Sequence, residues 1–160
     1  MENKIKQILC AVRGGPESRE TVTRAIDMAL ETGAKLTFFH VMDAEFLGQA
    51  AMSRTLSGIY NELREMGTFT MLILVDRAQR RGVENVNYIV QEGNIRKQLI
   101  QIAIQTKAEV MIVGRPTRSP TANVFKMTEM EAFAEELARE GGLKVVVVPD
   151  DLQEISGAST

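Results

Sequence analysis

The chain has 160 residues, a formal net charge of -2 and a pI near 5.6, which sets an expectation of one domain and excludes a multidomain enzyme. Hydrophobic residues make up 44% of it, enough to build a core, while the near-neutral charge supplies no basic field for a polyphosphate backbone and so excludes general nucleic-acid binding. Cys10 is the single cysteine and has no partner for an internal disulfide; the charged opening Met-Glu-Asn-Lys-Ile-Lys leads into too few apolar residues for a signal peptide. The longest apolar run, Met71 to Val75, falls far short of the roughly 18 residues that cross a bilayer, so the expectation is a cytoplasmic protein with no membrane insertion.

Taken in chain order, short apolar runs alternate with longer helical patterns, which predicts a parallel sheet. The first strand is Ile8 to Val12. The first helix carries Val22, Ala25, Ile26, Ala29 and Leu30 as one stripe, with Pro16 near its start and Gly33 just past its end. A second strand runs from Leu36 to Met42. From Ser53 to Arg80 the spacing of Leu56, Tyr60 and Leu63 predicts one long helix, whose all-round apolar stretch Met71 to Val75 is expected to be its most buried part. A third strand, Val86 to Val90, precedes a helix capped by Asn94 with Ile95, Leu99, Ile102 and Ala103 on one face. A fourth strand, Val110 to Val113, is followed by a helix marked by Met130, Phe133, Ala134, Leu137 and Ala138, then by Gly141-Gly142 and a last strand, Leu143 to Val148. Most strands are apolar at successive positions, as strands covered on both faces are. Residues 1–149 read as one domain, 44–55 and 115–123 as loops, and 150–160 as a flexible polar tail.

Ligands of an open parallel sheet collect outside the carboxyl ends of its strands, where the strand order reverses. The exits of the first and fourth strands read Arg13-Gly14-Gly15-Pro16 and Gly114-Arg115-Pro116-Thr117-Arg118-Ser119. Glycines there allow close backbone approach, and exposed amides at a helix start attract anions. Arg13, Gly14, Arg115, Arg118 and Lys126 are therefore candidates for an anion pocket, against the plainer reading of solvated loop charge partly balanced by Glu17. His40, the only histidine, has no second ligand for a metal and reads as a satisfied strand-end residue. Cys10, mid-strand, reads as a buried and inert thiol. Among nine methionines, Met28, Met66, Met71 and Met111 fall on expected core faces. Ser119-Pro120-Thr121 is a loop open to phosphorylation or explained by turn chemistry alone.

These pieces together resemble the universal stress protein family. The resemblance covers residues 5 to 149: Ile8-Leu9-Cys10-Ala11-Val12 entering a glycine-containing turn with Ser18 after it, a second strand ending His40-Val41, Glu92-Gly93-Asn94 before the third helix, Ala108-Glu109-Val110-Met111-Ile112-Val113-Gly114, and Val145-Val146-Val147-Val148-Pro149. It implies a Rossmann-like α/β fold with a five-stranded parallel sheet in the order 3-2-1-4-5 and helices on both faces, a homodimer, and a role in stress responses. Nucleotide-binding members carry a glycine motif after the fourth strand and an aspartate after the first. Gly114 and Thr128 keep the outer motif positions and Val41 keeps a backbone position facing adenine, whereas Thr117 and Met127 replace glycines and Arg13 replaces the aspartate. A Cβ where φ must be positive costs on the order of 1 kcal/mol or more and obstructs approach to phosphate. Gly14-Gly15-Pro16-Glu17-Ser18 also resembles the pyrophosphate-gripping loop of ATP pyrophosphatases, with Glu17 in place of its aspartate.

The expectation is thus a noncatalytic, homodimeric binding or regulatory protein with a degraded ATP motif and no required cofactor or metal. Its candidate nucleotide or anion residues are Arg13, Gly14, Val41, Gly114, Arg115, Arg118 and Thr128. The alternative is an ATP-binding stress protein that uses a noncanonical phosphate loop, with slow hydrolysis. The homodimer is expected through Val145, Val146, Val147 and Val148, a β-prone run at a sheet edge.

Overall fold

A computed structural model describes residues 5–12, 18–42, 54–114 and 127–148. In chain order its elements are β1 (Gln7–Ala11), α1 (Ser18–Thr32), β2 (Lys35–Met42), α2 (Arg54–Arg81), β3 (Val86–Glu92), α3 (Ile95–Thr106), β4 (Val110–Gly114), α4 (Met127–Gly141) and β5 (Lys144–Val148). All four strand pairings are parallel and the order is β3-β2-β1-β4-β5, as expected from the sequence. The winding proceeds from β1 to one side through β2 and β3 and then to the other through β4 and β5, so the exits of β1 and β4 are the switch point.

Alternate side chains of each strand feed two cores. Ile8, Cys10, Leu36, Phe38, Val110 and Ile112 face α1 and α2, meeting Val22, Ala25, Ile26, Ala29, Met71 and Ala78. Leu9, Phe39, Met111 and Val113 face α3 and α4, meeting Leu99, Ile102, Ala103, Phe133 and Leu137. Burial on both faces explains why these strands read as continuous apolar runs rather than as alternation.

Local chemistry fixes the ends. Asn94 caps α3 as expected, its Oδ1 accepting from the Lys97 N–H at 3.1 Å. The helix closes on Lys107, a non-glycine residue at φ 56°, whose N–H donates to the Ala103 carbonyl. Glu109 ties three strands together. Its Oε1 accepts from the Lys6 and Gln7 N–H groups at 3.1 and 2.9 Å, and its carbonyl accepts from Lys144 N at the start of β5.

Three expectations about apolar residues are corrected. Within Met71 to Val75 only Met71 is fully buried; Leu72 and Ile73 are 48% and 50% exposed. A helix lying on a sheet has one face against it, so an all-round apolar run there must leave half its members outward. Met66, expected in the core, is 63% exposed for the same reason, and Leu30, at the margin of the α1 stripe, is 39% exposed. Of the expected loop 44–55, residues 54 and 55 already belong to α2, while 44–53, the loop 115–123 and the tail 150–160 lie outside the described residues.

Candidate functional site

Of the residues singled out in the sequence, Arg13, Gly14, Arg115, Arg118, Lys126 and Thr117 lie outside the described residues. The rest frame the same end of the sheet. Val41 is near the end of β2, paired with Gln91 of β3, and Gly114 ends β4, paired with Val148 of β5. Val41 packs towards the α3 and α4 core. Met127 and Thr128 form the first turn of α4.

Gly114 has a structural reason to lack a side chain. A Cβ built there would lie 3.0 Å from Thr21 Oγ1, so the glycine lets the first turn of α1 close over the end of β4. Thr21 is only 2% exposed, and its hydroxyl has no hydrogen-bond partner among the described residues. Leaving a buried hydroxyl unpaired costs about 1–3 kcal/mol, so this one is notable at the switch point. Sequence reading missed Thr21 because its place in the α1 pattern reads as ordinary helix; only the pairing of β1 with β4 brings it to Gly114.

His40 also has a defined role at this end. The Val12 carbonyl can only accept, so the His40 Nδ1, 2.8 Å away, carries the proton and donates it. The other side of the ring lies against α2: a Cβ at Gly67 would lie 3.2 Å from His40 Cδ2. The expected satisfied strand-end histidine is therefore what the structure places there, with Gly67 as its unforeseen counterpart.

Further along the same edge, Tyr60 of α2 donates its hydroxyl to Glu92 Oε2, and Arg64 Nη1 reaches the same oxygen at 3.3 Å. Loss of hydration, then the bond to the Glu92 carboxylate and its charge, raise the Tyr60 phenol above its ordinary range, while Arg64 opposes the shift. This triad pins the amino half of α2 to the end of β3. Tyr60 and Arg64 are four apart on a helix, a spacing that signals a shared face but not its partner.

On the α3 face, a cavity of about 130 Å³ is lined by Gln91, Gln98, Gln101 and Gln105 over Phe39 and Ile102. Cys10 is fully buried, and burial pushes its thiol well above the usual range, so the expected inert thiol agrees with its surroundings. Among the described residues no group of three or more His, Cys, Asp or Glu could hold a metal, and no helix is long and apolar enough to cross a membrane.

A parallel sheet wound in both directions from β1, with a close helix–strand approach at the reversal, defines the class of doubly wound α/β proteins that take ligands at the carboxyl edge of the sheet. The model of the universal stress protein family matches residues 4–149, and the chain belongs to that family. Solved structures agree on the fold. Universal stress protein UspA from Lactobacillus plantarum is 16% identical, with a TM-score of 0.76 over 91% of this chain and 99% of its own. A universal stress protein family member from Burkholderia pseudomallei is 21% identical, with a TM-score of 0.66 over 93% and 99%. A universal stress protein in complex with cAMP is 19% identical, with a TM-score of 0.61 over 91% and 98%. Among curated proteins none matches the chain.

Proposed function

We propose that this protein is a noncatalytic, homodimeric stress-response protein of the cytoplasm that binds a small phosphate-bearing nucleotide, of the nucleoside monophosphate class, at the exits of β1 and β4. The observation that carries this reading is the buried Thr21 hydroxyl, unpaired among the described residues, against Gly114 at the switch point. A bound polar group would satisfy it. The arginines Arg13, Arg115 and Arg118 follow the two strand exits in sequence and supply local positive charge for one phosphate. The same residues argue against a triphosphate, because Arg13 replaces the motif aspartate and Thr117 and Met127 replace motif glycines. The relative solved with cAMP supports a monophosphate as the ligand class.

In this reading Gly14, Gly114 and Thr128 supply backbone and hydroxyl contacts to phosphate, and the backbone at Val41 faces the base. The dimer forms through β5, an edge strand whose Val145, Val146 and Val147 are only half-buried. Pairing it with its own copy about a two-fold axis satisfies both edges at once.

Thr21→Val tests the site, since it keeps the shape and removes the hydroxyl. The free variant should be more stable than wild type by about 1–3 kcal/mol, because an unpaired buried group is gone. Calorimetric titration with AMP or cAMP should show binding weakened about 2- to 10-fold, the worth of one hydrogen bond. A variant that is no more stable, or that binds as tightly as wild type, refutes the assignment. Low-micromolar binding of Mg-ATP would instead favour the triphosphate alternative.

A further inference from the structure

The helix α3 lies over β1 and β2, and β3 is the edge strand beyond them, so a cleft remains between the helix and that edge. It holds the cavity of about 130 Å³, and four of the chain's eight glutamines line it. Gln98, Gln101 and Gln105 stand at i, i+3 and i+7, on one face of α3, and Gln91 joins them from β3. Gly93, at φ 138°, makes room for the first of these: a Cβ there would lie 3.1 Å from Gln98 Nε2.

The lining selects a class of ligand. Among the described residues no ionised side chain borders the cavity. The charged neighbours are engaged elsewhere: Glu92 accepts from Tyr60 and Arg64, and Arg96 pairs with Glu136 at 3.3 Å and lies over the Phe133 ring. A charged ligand would therefore lose hydration without gaining a counter-charge. Phe39 and Ile102, at the floor, are 1% and 5% exposed, which leaves no open aromatic face on which a planar base could stack. The four carboxamides have no hydrogen-bond partner among the described residues, and each carries two N–H donors and a carbonyl acceptor. Hydroxyl groups match such a lining, because each one both donates and accepts.

We propose that this cavity binds a small uncharged polyol, its hydroxyl groups held by the carboxamides of Gln91, Gln98, Gln101 and Gln105. An apolar cavity of about 150 Å³ encloses benzene, so a site of this size takes about six heavy atoms and leaves the rest of a longer polyol in solvent. The site uses none of the residues proposed for the nucleotide, and β3 lies two strands from β1 at the switch point.

Titration of the full chain with sorbitol, followed by NMR of the glutamine side-chain amides, tests it. The four cavity signals should shift and saturate with a millimolar dissociation constant, the scale of a few neutral hydrogen bonds, while the signal of Gln79, exposed on α2, should not. Gln101→Ala with Gln105→Ala, at exposed helix positions where alanine is favoured, should keep the circular dichroism spectrum native. Binding read from Gln91 and Gln98 should weaken about tenfold in that variant. Parallel titrations with adenine and with acetate present the planar and the charged classes. Shifts that grow without saturating, that are matched at Gln79, or that survive unchanged in the folded double variant overturn the proposal, as does saturation by adenine or acetate in place of sorbitol.

Discussion

Two glycines lie inside α2, and replacing each with alanine separates helix propensity from packing. Alanine is favoured over glycine in a helix interior by about 1 kcal/mol. At Gly58 an added Cβ meets nothing within 4 Å, so Gly58→Ala should show the whole gain, a rise in Tm of about 2–4 °C for a chain of this size. At Gly67 the same Cβ lies 3.2 Å from His40 Cδ2 and 3.5 Å from His40 Nε2. The ring has little freedom to retreat, because its Nδ1 is held 2.8 Å from the Val12 carbonyl. Backing away by a few tenths of an ångström lengthens a bond worth about 0.5–1.5 kcal/mol, and overpacking adds about 1–3 kcal/mol more. Gly67→Ala should therefore leave stability unchanged or lower it by up to about 2 kcal/mol, despite better helix propensity. Combining it with His40→Ala removes the obstacle, so a double-mutant cycle in urea denaturation should give a coupling of about 1 kcal/mol or more. If Gly67→Ala stabilises as much as Gly58→Ala, or the cycle shows no coupling, then α2 does not rest on His40 in the way described.

Lys107→Gly should stabilise the protein by about 0.5–1 kcal/mol in urea denaturation, because φ 56° is strained for lysine and open to glycine. A decrease in stability would show that the lysine side chain does more at this cap than end α3. The buried Cys10 predicts a pH dependence. Its thiol keeps its proton in the folded state, whereas the unfolded chain loses it at about pH 8.5, so above that pH the unfolded state binds fewer protons. Stability should fall by up to about 1.4 kcal/mol per pH unit above about 8.5, and Cys10→Ala should remove that part of the slope; identical slopes in the two proteins would refute the assignment.

The sheet was legible because its signal is redundant. The inner strands β1, β2 and β4 are covered on both faces and so read as apolar runs, and turn residues such as Gly33 and Asn94 punctuate the helices where the structure ends or starts them. The long helix was legible as an element but not in its orientation. Met71 to Val75 is apolar on every side, so periodicity alone could not say which face meets the sheet, and that is decided by contacts with residues far away in sequence, such as Val86 and Tyr88. The same limit applies to the site. Gly114 could be found from its place at a strand exit, but the attribution of that glycine to ligand approach missed its nearer constraint, the Thr21 hydroxyl, which only the β1–β4 pairing brings into range.

One physical theme links these residues: α1 and α2 both come unusually close to the carboxyl edge of the sheet, each at a glycine. Gly114 on the sheet admits Thr21 of α1, and Gly67 on α2 admits His40 of the sheet. Each close approach places a polar group where solvent is scarce. At His40 the ring is satisfied by the Val12 carbonyl, so the contact is complete within the protein. At Thr21 no described residue satisfies the hydroxyl. Under the proposed function the Thr21 hydroxyl is met by a ligand, whereas the His40 contact is packing alone. A free-protein stability gain from Thr21→Val, with no comparable gain from His40→Ala, is the outcome that this distinction requires.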